Sequence, residues 1–199
     1  MPVFHVVRST PGLPDRKAPP DSWSLRPAPL ADGPLLTAFV LERVDERGDE
    51  RRIGLVRIAT SGQERGRTTL PLRFEAVTAD TFSLGAEIEY YSELREVAGA
   101  DSHAVLLALG DVAVDPDRRA RFAEEFAFRQ SLVRYAPSRS ALEGAGAILS
   151  GVSAARSDGW TLAFHTAVGG EPLELDLEFG ADPDLPGEIV VLVGPNGSG

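Results

Sequence analysis

Gly187-Glu188-Ile189-Val190-Val191-Leu192-Val193-Gly194-Pro195-Asn196-Gly197-Ser198-Gly199 closes the sequence and organises the reading of everything before it. Residues 189–193 form an unbroken apolar run rich in β-branched side chains, the composition of a strand covered on both faces. The run leads directly into Gly194, Pro195, Asn196, Gly197, Ser198 and Gly199, which match the first six positions of the loop pattern G-x-x-x-x-G-K-[ST]. A loop that wraps a triphosphate turns its backbone N–H groups inward, and glycine permits the dihedral angles this needs. The pattern's lysine reaches the β- and γ-phosphates, its hydroxyl residue holds Mg2+, and the helix that follows adds its positive end. Those three elements fall after Gly199, so the expectation is a phosphate loop cut short and catalytically incomplete as it stands. The six residues 194–199 are the candidate nucleotide-binding residues, with no catalytic and no metal-ligating residue assigned.

Two glycines five apart carry little information by themselves, and a Gly-rich tail would look the same. The context is what gives them weight. Leu185-Pro186-Gly187 is a turn signal ahead of the strand. Further upstream, residues 160–168 (WTLAFHTAV) read as a strand and Gly169-Gly170 as a tight turn. Residues 173–179 (LELDLEF) alternate strictly, with Leu173, Leu175, Leu177 and Phe179 on one side and Glu174, Asp176 and Glu178 on the other. Together they predict an antiparallel hairpin.

The segment PGEIVVLVGPNGSG resembles the start of the nucleotide-binding domain of ABC-type ATPases and their SMC-like relatives, specifically over residues 185–199 and more loosely back to Trp160. That resemblance implies a domain beginning near residue 157, with antiparallel strands ahead of the phosphate-loop strand. It implies ATP and Mg2+ as ligands of the intact protein, ATP hydrolysis, and a homodimer formed through the ATPase heads. The catalytic carboxylate and the signature sequence of such domains lie on later strands, so Glu188 is not that carboxylate. A softer similarity links the chain to bacterial SMC-like ATP-binding proteins of phage-defence systems. It rests on Ser83-Leu84-Gly85, on Tyr90-Tyr91-Ser92-Glu93-Leu94, and on Phe128 with Ser131-Leu132-Val133-Arg134, where Val133 interrupts the pattern.

Upstream of residue 157, two further regions are expected: residues 1–34, a short strand at residues 3–7 followed by a proline-rich linker or strap, and residues 35–156, an α+β module. Prolines 11, 14, 19, 20, 27, 29 and 34 argue against regular structure, with Trp23 and Leu25 as pins to the surface. Residues 35–44 and 52–59 predict a hairpin around the charged turn at 45–50, and residues 72–77 a weaker third strand. Ser83 reads as the N-cap of a helix carrying Leu84, Ile88, Tyr91 and Leu94, with Gly99 as its stop. Of the adjacent Tyr90 and Tyr91, one is expected in the core and one partly exposed. Ser102 should open a second helix over Ala104 to about Leu109, which Gly110 breaks. A long helix over 118–134 should place Phe122, Phe126 and Val133 on one face, and a short Ala/Gly-rich helix should span 138–149. Asp111, Asp115 and Asp117 do not match a calcium loop, which leaves helix capping. The fold class is therefore α+β, leading into the first strands of an α/β ATPase domain.

Composition narrows the partners. The 199 residues are 43% apolar with a formal net charge of −10, which argues against a broad basic face for nucleic acid within this stretch. Nucleic acid contacts would have to come from downstream regions. Cysteine is absent, and no apolar run has the length of a membrane span. These features fit a cytoplasmic protein with no membrane partner and with room for a partner protein. His5, His103 and His165 are too scattered for a metal site. A non-enzymatic interaction module ending in a Gly-rich tail is the competing reading.

Overall fold

The computed structural model describes residues 1–7, 17–151, 160–168 and 171–179. In chain order the elements are β1 (Phe4–Val6), β2 (Ser22–Pro27), β3 (Leu35–Leu36), β4 (Ala38–Val44), β5 (Glu50–Thr60), β6 (Gly66–Arg67), β7 (Arg73–Phe74) and β8 (Thr81–Gly85). Helices follow: α1 (Ile88–Ala98), α2 (Ser102–Leu109), α3 (Pro116–Phe122) and α4 (Ala136–Leu149), then β9 (Trp160–Val168) and β10 (Glu171–Phe179). Strands come first and helices after them in the unit Met1–Gly151, which makes it an α+β fold. Its main sheet is mixed, in the order β7-β1-β2-β4-β5-β8, with β1 and β2 parallel and the other pairs antiparallel.

The expected hairpin is present as β4–β5, pairing Ala38 with Arg57 through Val44 with Glu50. Its pairing carries a bulge: Leu41 faces Gly54 and Glu42 faces Arg52, so Ile53 is the extra residue. On β4, Phe39 and Leu41 are buried while Val40 between them and Glu42 after them are less covered, the period of a half-buried strand. Arg26 Nε donates to Glu42 at 2.7 Å and its Nη2 to Glu50 at 2.6 Å, lacing three strands.

Four local expectations are corrected. Residues 22–27 are an inner strand of the sheet, with Trp23 and Leu25 buried, and not an irregular strap. The prolines flank this strand or fall on its last residue, where a missing N–H costs little. Residues 81–85 are strand β8, so Ser83 is not an N-cap; it pairs with Ile58, and Glu87 precedes the helix. Both tyrosines are buried, Tyr90 at 1% and Tyr91 at 0% exposure. The single helix over 118–134 is broken after Phe122 and resumes as a π-turn at Phe128–Leu132, where Val133 N–H donates to Phe128 O. Phe122 and Phe128 are buried by this break, while Phe126 is 43% exposed. Gly99 and Gly110 end their helices as expected, and Asp115 caps α3 by accepting from Arg118 N–H at 2.9 Å.

In the unit Val152–Gly199, β9 and β10 form the expected antiparallel hairpin, paired from Val168–Glu171 to Trp160–Phe179, with β10 starting two residues before Leu173. Asp176, on the polar side of the β10 alternation, is exposed, as are its cross-strand partner Ala163 and His165. The Gly169-Gly170 turn lies outside the described residues.

Helix α1 sits unusually close to the sheet. A Cβ at Gly85 would fall 2.8 Å from Tyr91 Cε2 and closer still to Tyr90 Cδ1. At Gly54, φ +152° beside the bulge, an added Cβ would lie 3.4 Å from Tyr90 Cδ2 of the same ring. The Gly85→Ala variant is expected to lose about 1–3 kcal/mol through overpacking. Urea unfolding checks this, with a lowered midpoint at unchanged slope as the expected result.

Candidate functional site

The expected phosphate loop at Gly194, Pro195, Asn196, Gly197, Ser198 and Gly199, and the strand at 189–193 before it, lie outside the described residues. Among the described residues, the polar groups that the fold brings together form two buried clusters.

The first centres on Arg57, placed in the middle of β5 between Val56 and Ile58 and 7% exposed. Its Nε donates to Asp32 Oδ2 at 3.0 Å and its Nη1 to Ser138 Oγ at 3.3 Å. Asp32 comes from a tight turn in which Asp32 and Leu35 exchange both backbone hydrogen bonds. The same Asp32 oxygen accepts from Ser131 Oγ at 2.6 Å, and Ser131 shares a 2.6 Å hydrogen bond with Thr37. The π-turn is what turns Ser131 inward. The guanidinium lies 5.0 Å from the Tyr135 ring centroid. Burial would raise the Asp32 carboxyl, but hydrogen bonds from Ser131 and Arg57, the charge of Arg57 and the Tyr135 hydroxyl together hold it below the usual range. The cluster therefore ties the turn, sheet and helical layer together through an ion pair and a chain of side-chain hydrogen bonds.

The second cluster is Asp111, fully buried directly after Gly110. Its Oδ1 accepts from Ala113 N–H at 2.8 Å and its Oδ2 from the Tyr91 hydroxyl at 2.9 Å. The Tyr91 oxygen in turn accepts from Gly85 N–H at 3.0 Å. Burial pushes the Asp111 carboxyl up to about 7, against the pull of these hydrogen bonds. Burial and the nearby Asp111 raise both tyrosine hydroxyls well above their ordinary value. Tyr90 Oη and Ser83 Oγ are buried without hydrogen-bond partners among the described residues. The chain segments Ser83-Leu84-Gly85 and Tyr90-Tyr91, quoted above as separate similarities, thus meet as one packed unit.

The sequence reading missed both clusters. The available signals were an arginine inside the apolar run Val56-Arg57-Ile58-Ala59 and an aspartate between a helix stop and Val112-Ala113-Val114. The three aspartates weighed for calcium are divided: Asp111 points into the core, Asp115 caps α3, and Asp117 sits exposed in its first turn. Among the described residues no three His, Asp or Glu side chains gather as a metal site. No helix there is long and apolar enough to cross a membrane.

Comparison with known proteins adds one relative. The chain is 32% identical over 117 residues to "Protein ea59" of Escherichia phage lambda, an alignment that takes in 57% of this chain and 21% of that protein. The chain thus spans about a fifth of the length of the relative it matches. No family model and no solved structure matches.

Two outcomes follow from the clusters. Removing one partner of the Arg57 pair leaves a buried charge alone, so Asp32→Ala is expected to cost about 3–5 kcal/mol. The double variant Asp32→Leu/Arg57→Met should cost less than that single change, as denaturant titration of the three proteins would register. For Asp111, the folded pKa is raised above the ordinary 3.8, so the folded state holds a proton that the unfolded chain has released. Its contribution is fully present below about pH 4 and is lost as pH rises toward 7, on the order of 2–4 kcal/mol. His5 acts in the opposite sense: burial, then Arg73, lower its pKa below 6.5, so its contribution grows as pH rises. The difference between the wild type and Asp111→Asn isolates the aspartate. Thermal melts from pH 4 to pH 8 should show the variant gaining on the wild type as pH rises.

Proposed function

We propose that these residues are the N-terminal portion of an ABC-type or SMC-like ATPase. In this reading the unit Met1–Gly151 precedes a nucleotide-binding domain opened by the β9–β10 hairpin. Residues 194–199 begin its phosphate loop. The observation that carries the reading is the order of signals in the sequence: a turn, a strand apolar throughout, and GPNGSG directly after it. The hairpin ahead of that strand supports it, because ABC-type domains open on antiparallel strands.

In the intact protein the backbone N–H groups of Gly197, Ser198 and Gly199 face the β-phosphate of ATP. A lysine following Gly199 and a hydroxyl residue holding Mg2+ complete the charge complementarity. Two such heads pair to form the hydrolytic sites. DNA handling and defence signalling are both tasks that this loop serves, and any nucleic acid contact would come through downstream regions and not through this acidic stretch.

Residues 1–199 by themselves are expected to bind ATP weakly or not at all and to release no phosphate. A longer chain that includes the lysine and the remaining domain is expected to bind and hydrolyse ATP, and Gly199→Trp in that chain to abolish binding by crowding the loop. Calorimetry and phosphate-release measurements on the three proteins decide the matter. A longer chain that carries the lysine yet ignores ATP, or a Gly199→Trp protein that hydrolyses it normally, removes the phosphate-loop reading.

A further inference from the structure

Helix α2, Ser102-His103-Ala104-Val105-Leu106-Leu107-Ala108-Leu109, is apolar nearly all round. Val105, Leu106 and Leu109 are buried in the core and account for one side. The opposite side is less polar than on an ordinary surface helix. It carries Ala104, exposed, and Leu107, 44% exposed, with His103, also exposed, as its one polar residue. Ala104 and Leu107 line a groove of about 750 Å³ together with Val97 and Ala98 of α1, Trp23 of β2 and Met1. Glu75 and Asp101 also line the groove. Both are exposed, and neither has an ion-pair partner among the described residues.

We propose that this groove receives an amphipathic helix from a partner polypeptide, its apolar stripe against Ala104 and Leu107 and its Lys or Arg side chains opposite Glu75 and Asp101. Charge complementarity selects this occupant. The two free carboxylates stand beside an apolar wall, so the matching surface is apolar with basic flanks. A small polar ligand finds few fixed donors here. The one arginine in the lining, Arg43, is bound to Asp21 and to the carbonyls of Ser22 and Val44, and its guanidinium lies 5.4 Å from the Trp23 ring centroid. A second copy of the chain would bring another net charge of −10 to the carboxylates. The inference is independent of the ATPase reading, because every residue it uses lies in Met1–Gly151.

The test uses the full chain and a helical peptide of Leu and Lys about five turns long, labelled for fluorescence anisotropy, with a Leu/Glu peptide of the same pattern for comparison. The Leu/Lys peptide is expected to bind and the Leu/Glu peptide not to bind. Glu75→Gln/Asp101→Asn should weaken binding roughly three- to tenfold, since each rim ion pair is worth up to about 1 kcal/mol. Glu46→Gln/Glu143→Gln, which removes the same charge from exposed positions outside the groove, should change it less than about twofold. Leu107→Lys should weaken binding about tenfold or more. Absence of Leu/Lys binding, equal losses in the two charge-removal variants, or an indifferent Leu107→Lys protein overturns the proposal. A chain that sediments as a dimer and becomes a monomer on Leu107→Lys also overturns it, by assigning the groove to a second copy.

Discussion

The contact between Tyr90, Tyr91 and the backbone of Gly85 is the constraint on which the larger unit depends. Helix α1 begins three residues after β8 ends, so its first turn must fold back onto the strand it has just left. Two aromatic rings occupy that corner edge to face, with centroids 5.1 Å apart. They fit only because position 85 has no side chain, and Gly54 beside the β5 bulge approaches Tyr90 as well. Close packing of this kind puts a premium on protein partners for the polar atoms in the corner. Tyr91 finds Gly85 and Asp111; Tyr90 and Ser83 find none among the described residues.

Asp111 extends that corner to the rest of the helical layer. It takes one hydrogen bond from α1 and one from its own turn, and so fixes the path from α2 toward α3. Ser83 and Asp111 also bridge through their backbones, with Ser83 N–H donating to Gly110 O and Val112 N–H to Ser83 O. The Arg57 cluster performs the equivalent task on the other helical segments, joining the Asp32 turn, the π-turn and the start of α4. The two clusters differ electrostatically. Asp32 has an arginine partner and stays charged, whereas Asp111 has only neutral donors, and burial favours its protonated form.

Both clusters are engaged in holding elements together, so the groove beside α2 is the part of the described surface that stands open to a partner. The apolar open side of α2 is unlike the exposed faces of α1, where Arg51 of the sheet pairs with Glu93 and Glu96. A proline-flanked inner strand and a mixed sheet give that surface a rigid backing, since Trp23 of β2 belongs to both the core and the groove.

Read alone, the sequence determined the features that depend on neighbours along the chain. The β4–β5 and β9–β10 hairpins follow from alternation around Gly-bearing turns, the stops at Gly99 and Gly110 from backbone freedom, and the α3 cap from an aspartate three residues ahead of a free N–H. The α+β class follows from the order of those elements. The nucleotide-loop reading also rests on local sequence, at residues outside those the structure describes. Tertiary structure alone decided what depends on distant partners. Residues 22–27 become a strand because β1 and β4 satisfy their backbone groups, and residues 81–85 because β5 does. The helix at 118–134 breaks because the core takes Phe122 and Phe128 while Asp32 and Thr37 take Ser131. Nothing in the neighbouring residues of Arg57 or Asp111 announces a partner, since Asp32 lies 25 positions from Arg57 and Tyr91 lies 20 from Asp111. Burial of a charge is a property of the assembled core, and no window of sequence contains it.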